Sequence, residues 1–193
     1  MQTEEPASGV KATAKRLLKD SGRFLLAGVK AALAGPTTPA DFVLESWRQG
    51  QRDLDLEAVD LWQLVTDCLA RHTAPCADKG VDLLLQQGAP APAVMVDRGR
   101  IEAVLHKALE SARHACAQNR PLRVRVALEG GRAVVAITHE VDGAPAFDEP
   151  SEAVLEAARE VVAAHGGELT FERADGGSIG FTLSLPAAPL GPS

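Results

Sequence analysis

Apolar residues recur at helical spacing from Val10 to Ala32, through Ala14, Leu17, Leu18, Leu25 and Val29, and Gly35-Pro36 ends the run. That period predicts an amphipathic helix, weakened internally by Gly22 and Gly28. After the turn GPTTPA, the stretch DFVLESWRQGQ predicts a second, shorter helix with Asp41 as its N-cap. Two helices joined by so short a connection form an antiparallel hairpin. A hairpin of this size cannot hide both apolar stripes by itself, so residues 10–52 are expected to pack on the rest of the chain or on a second copy. Residues 1–9 and 187–193 read as flexible tails.

From residue 53 the pattern changes. DLDLEAV alternates as a short strand, and Asp60 can cap the helix LWQLVTDCLARHTAPCADKG, whose Leu61, Leu64, Val65, Cys68 and Leu69 share a stripe. VDLLLQQ and AVMVD predict strands. A helix follows Asp97, with Ile101, Val104, Leu105, Ala108, Leu109 and Ala112 on one face. PLRVRVAL, EGGR and AVVAITHE make a β-hairpin. SEAVLEAAREVVAAHGG is a helix closed by glycine, and ELTFER, ADGG and SIGFTLSLP make a final hairpin. Helices and strands in this irregular alternation predict an α+β sandwich over residues 53–186, with helices on one face of a mixed β-sheet.

Charge and composition narrow the function. The net charge of −6 gives no support to nucleic-acid binding, and no stretch reaches the roughly 18 apolar residues of a membrane span. Lys11, Lys15, Arg16, Lys19, Arg23 and Lys30 give the first helix a basic face, which reads as solvated rather than membrane-bound. Cys68, Cys76 and Cys116 match neither a zinc pair nor a redox motif and read as free thiols in a reducing compartment. With an acidic N-terminus that lacks a signal-peptide pattern, a cytoplasmic location is expected.

The polar face of the helix after Asp97 holds His106, Lys107, Glu110, Arg113 and His114, with Ser111 at the border. Histidines spaced i, i+4 can reach one metal, so His106, Glu110 and His114 are a candidate zinc facet. They offer only two imidazoles and a carboxylate, and a solvated polar face is the simpler reading. His139-Glu140 sits at a strand end, and His165 before Gly166-Gly167 reads as structural.

LDLEAVDLWQLV, DRGRIEAVLHKALESA and AAHGGELTFERADGGSIGFTLSLP, in that order, resemble the ATP-binding domain of sensor histidine kinases, in the superfamily of gyrase, Hsp90 and MutL. The resemblance covers roughly residues 53–186. It implies a histidine-kinase-type ATPase sandwich preceded by a dimerisation-like hairpin. The layout is also similar to sporulation-type phosphorelay phosphotransferases.

The resemblance further implies three sequence boxes, and each is altered. The first supplies asparagines from the helix after Asp97, one ligating Mg²⁺ through its amide oxygen. Lys107 and Ser111 stand at its two asparagine positions, and the one asparagine of the chain, Asn119, lies beyond that helix. A charged lysine cannot ligate a metal. The second, D-x-G-x-G, reads adenine; here it is HEVDGAP, with His139 at the aspartate position, Val141 at the first glycine and Gly143 retained. Asp142 substitutes for the aspartate only after a local shift. The third box frees backbone N–H groups for phosphate, and its glycine positions hold Glu152 and Val154. The lid between the second and third boxes is short and acidic.

Residues 1–52 contain no histidine, so the hairpin offers no phospho-acceptor. The expected function is a non-catalytic two-component-type regulator or adaptor, dimeric through residues 10–52. Its partner would be a response regulator, a kinase or another regulatory protein, with no cofactor. The alternative is an atypical histidine kinase or ATPase that uses ATP and Mg²⁺ in a pocket rebuilt around Glu110, His139 and Asp142. A weaker option is a binding module for a different small ligand.

Overall fold

A computed structural model of the chain describes residues 39–50, 52–88, 92–141, 152–174 and 178–188. All of them lie in one compact unit, Thr38–Ser193. The expected first hairpin helix lies outside the described residues, as do Asp142 and Gly143.

The elements run in the order α1 (Pro39–Arg48), β1 (Glu57–Asp60), α2 (Leu61–Lys79), β2 (Asp82–Gln87), β3 (Ala93–Val96), α3 (Arg98–Ala115), β4 (Pro121–Glu129), β5 (Arg132–Glu140), α4 (Glu152–Ala164), β6 (Glu168–Ala174) and β7 (Ser178–Pro186). A five-stranded sheet has the order β2-β4-β5-β7-β6. The β2–β4 pair is parallel and the other pairs are antiparallel, so the sheet is mixed. β1 and β3 form a separate antiparallel pair. The α+β expectation is met.

Local chemistry explains the breaks. Asp60 and Asp97 accept hydrogen bonds from the Gln63 and Arg100 amides, which caps α2 at its N-terminus, as the sequence predicts, and α3 likewise. Gly130 and Gly131 lie at φ +56° and +78°, the conformation of a two-residue hairpin turn that glycine adopts without strain. Glu129 therefore pairs with Arg132 and fixes the β4–β5 register. At Gly167 a Cβ would lie 2.6 Å from the Ser184 carbonyl oxygen, so only glycine lets α4 turn back against β7.

Alternation puts Leu122, Val124 and Val126 of β4, Val135 and Ile137 of β5, and Phe181, Leu183 and Leu185 of β7 in the core. All six apolar-face residues of α3 are buried. His165 ties two elements together. Its Nε2 accepts from the Asp97 amide at 3.0 Å and its Nδ1 donates to the Val161 carbonyl at 2.7 Å, a structural role as expected.

α1 packs on α3 and α4. It begins at Pro39, which suits the first turn of a helix, so Asp41 lies inside the helix rather than capping it. Ala40, Leu44 and Trp47 are buried. The Trp47 indole donates to Glu160 Oε2 at 3.1 Å, and the Arg52 and Arg100 guanidinium carbons lie 5.2 and 4.9 Å from its ring. The second helix of the expected hairpin thus spends its apolar stripe within its own chain. Trp47→Ala is expected to destabilise this unit by about 3–5 kcal/mol in urea unfolding, the usual cost of emptying a buried aromatic site. A loss near zero would mean that α1 is not docked.

Candidate functional site

The site implied by the resemblance lies between α3 and the N-terminal half of α4. Its centre is Lys107. The Lys107 ammonium lies 2.8 Å from Asp41 Oδ1 of α1 and 2.6 Å from Glu110 Oε2 of its own helix. All three side chains are mostly covered, with 18% of Lys107, 16% of Asp41 and 32% of Glu110 exposed. Burial alone would lower the Lys107 pKa. Hydrogen bonds to the two carboxylates reverse that and hold it above the usual lysine value, so the side chain is a cation at any physiological pH.

Beside Lys107, between Val104, Ala108, Leu155, Ala158 and Phe181, a cavity of about 10 Å³ is left. That is about the space of one water, whereas small-molecule pockets run to roughly 300–1,000 Å³. A Mg²⁺–nucleotide does not fit this arrangement. A fixed ammonium stands where an amide oxygen would ligate the metal, and it is already engaged by the Asp41 and Glu110 carboxylates.

Ser111 is buried, and its Oγ has no hydrogen-bond partner among the described residues. His139 projects from β5 into the helix-covered face at 1% exposure, and neither ring nitrogen has a partner among the described residues. Glu110 is engaged with Lys107, and no hydrogen bond links it to His139. Of the sequence-derived site residues, the structure brings together Lys107 and Glu110. Asp142 and Gly143 lie outside the described residues.

The remaining polar face of α3 is not left to solvent, contrary to the simpler expectation. It faces α2: His106 Nδ1 lies 3.0 Å from His72 Nε2, and the Arg71 guanidinium reaches His106 and Glu102. His114 alone is exposed, 2.6 Å from the Arg113 guanidinium. His106, Glu110 and His114 therefore do not converge as a zinc facet. Asp41 and Trp47 escaped sequence reasoning as site residues, because nothing local marks where an amphipathic helix will dock.

No protein-family model matches the sequence. The alginate biosynthesis sensor protein KinB of Pseudomonas aeruginosa is 25% identical over 155 residues, which is 72% of this chain and 26% of that protein. The chain thus spans about a quarter of the length of this curated relative. Among solved structures, the nucleotide-free catalytic domain of histidine kinase ThkA aligns over 68% of this chain and 95% of its own, at 16% identity and TM-score 0.60. The Acinetobacter baumannii histidine kinase AdeS aligns over 95% and 86%, at 16% identity and TM-score 0.62. ThkA in complex with the response regulator TrrA aligns over 96% and 53%, at 15% identity and TM-score 0.62.

The chain has the histidine-kinase catalytic-domain fold.

Within this histidine-kinase-like domain, His139 yields a direct test. Burial, with a smaller effect of the Lys79 ammonium, depresses its imidazole to about 4. A histidine held neutral in the fold contributes stability that is full above its unfolded pKa of about 6.5 and is lost as pH falls from there through the folded value, at about 1.4 kcal/mol per pH unit. His72 is lowered to about 4 by burial and by His106, and adds a parallel slope. His139→Leu is expected to reduce that slope between pH 6.5 and 4, to which His106 also contributes, and to raise stability at pH 5. An unchanged slope would contradict the burial of a neutral His139.

Proposed function

We propose that this chain is a two-component-type signalling protein that works without phosphoryl chemistry, as a regulator or adaptor on a histidine-kinase-like scaffold. One observation carries the reading. The Lys107 ammonium, at the position where the resemblance sets a metal ligand, is clamped by Asp41 and Glu110 under helix α1. These contacts support the reading by placing a cation, already paired with carboxylates, at that position. No cofactor is part of this reading.

A response-regulator-type protein is the proposed partner. The solved complex of ThkA with TrrA supports that kind of partner for this fold. Among the described residues no helix is long and apolar enough to cross a bilayer. A cytoplasmic site of action is part of the proposal, supported by three buried free cysteines. Homodimerisation through residues 10–52 is also proposed, with its weight moved toward the first helix. Leu44 and Trp47 are already buried in cis and Phe42 is 66% exposed, and the apolar stripe expected from Val10 to Ala32 lies outside the described residues.

Calorimetric titration with Mg-ATP tests the reading. The expected Kd is on the order of a millimolar or weaker, about −4 kcal/mol, with no transfer of γ-phosphate to the chain. Micromolar Mg²⁺-dependent binding, or γ-phosphate incorporation that Glu110→Ala abolishes, would replace it with an enzyme. Sedimentation at tens of micromolar tests the dimer. The intact chain is expected to be dimeric, and charges placed at Leu18 and Leu25 together should yield a folded monomer. A monomeric parent would remove the dimer from the account.

A further inference from the structure

α2 and α3 face each other along two matched i, i+4 pairs, Cys68 and His72 on α2 and Glu102 and His106 on α3. Donor atoms of Cys68, Glu102 and His106 all lie within 4.8 Å of one another. His106 Nε2 is 3.5 Å from Glu102 Oε1, and its Nδ1 is 3.0 Å from His72 Nε2. One nitrogen of the Arg71 guanidinium sits between the first two groups, 2.7 Å from Glu102 Oε1 and 3.1 Å from His106 Nε2. Arginine only donates hydrogen bonds. In the tautomer that accepts from Arg71, Nε2 turns its lone pair toward that cation and Nδ1–H faces His72. This is the arrangement of a ligating histidine, with one nitrogen free for a cation and the other fixed by an outer partner.

We propose that Cys68, Glu102 and His106 form a binding site for a thiolate-accepting divalent cation of the zinc class, with His72 holding His106 in its ligating tautomer and the Arg71 guanidinium as the cation that the metal displaces. One sulfur, one imidazole and one carboxylate make up zinc's donor set, and a three-ligand site leaves the fourth tetrahedral position for water. Zinc–ligand bonds of about 2.0–2.3 Å set donors roughly 3.3–3.8 Å apart, so the present separations close with side-chain rotation.

The charges balance. A buried cysteine thiol such as Cys68 is protonated at pH 7 before binding. The metal forms a bond to Sγ as the S–H proton leaves to solvent, and thiolate plus carboxylate then neutralise the dication. Burial holds His106 below the ordinary histidine pKa and His72 at about 4, so neither imidazole needs to lose a proton at pH 7. The Arg71 side chain is 65% exposed and can swing into solvent. A cavity of about 260 Å³, lined by Arg71, His72, Pro75, His106, Glu110 and Arg113, gives access from the imidazole side. A bound ion would stitch α2 to α3 at a place apart from Lys107.

Titration of the full-length, reduced, metal-free chain with Co²⁺ tests this site. One equivalent is expected to bind with a thiolate-to-cobalt charge-transfer band, one proton released, and displacement by Zn²⁺. Cys68→Ser should abolish the band and Cys76→Ser should keep it. His72→Ala should weaken binding about 10–100-fold, as for other outer-shell histidine partners. Cys68 is fully buried, so Arg71→Ala, at an exposed side chain, is the second arm. It should tighten Co²⁺ binding at least severalfold by removing the competing cation. A parent chain that shows no charge-transfer band in excess Co²⁺, or a band that survives Cys68→Ser, would overturn the site. So would an Arg71→Ala affinity equal to the parent's, which would leave Arg71, Glu102 and His106 as an ion-pair network only.

Discussion

A lysine that is four-fifths covered must have its charge met by carboxylates, and the domain is organised around that constraint at Lys107. A buried unpaired ammonium would cost several kilocalories per mole. Glu110, three residues along the same helix, supplies one partner at a fixed distance. The second must come from elsewhere, and Asp41 brings α1 with it. Once α1 lies on α3, Leu44 and Trp47 complete the contact, and Trp47 extends it to α4 through Glu160. The ion pair sets the position of the helix, and apolar burial holds it there.

The apolar face of α3 does not depend on the altered positions of that helix. Ile101, Val104, Leu105, Ala108, Leu109 and Ala112 are all buried whatever stands at positions 107 and 111. On the polar side of α3, Lys107 forms an ion pair and the Ser111 Oγ has no partner among the described residues, while on β5 a neutral, buried His139 stands at the position that the resemblance links to adenine.

Much of this was legible in the sequence, because period and capping are local. The two aspartate caps, the glycine turn after Glu129 and the closing hairpin follow from a few neighbouring residues each. The histidine-kinase-like frame was legible because three such stretches occur in one order. Docking was not. The stripe of α1 looks the same whether it meets another chain or its own domain, and Asp41 looks like a helix cap until its partner, far away in sequence, is placed beside it. The polar face of α3 was misread as solvated for the same reason. Its partners Cys68, Arg71 and His72 lie on α2, and only the packing of the two helices brings them to Glu102 and His106.

The most direct test of the central claim is a double-mutant cycle between Lys107→Met and Asp41→Asn, read by urea unfolding at neutral pH. The account predicts that the two substitutions are coupled by about 1 kcal/mol or more, because Asp41→Asn leaves the covered Lys107 ammonium with Glu110 as its carboxylate and Lys107→Met takes the ammonium from Asp41. A coupling energy near zero would contradict it: α1 would then be held without Lys107.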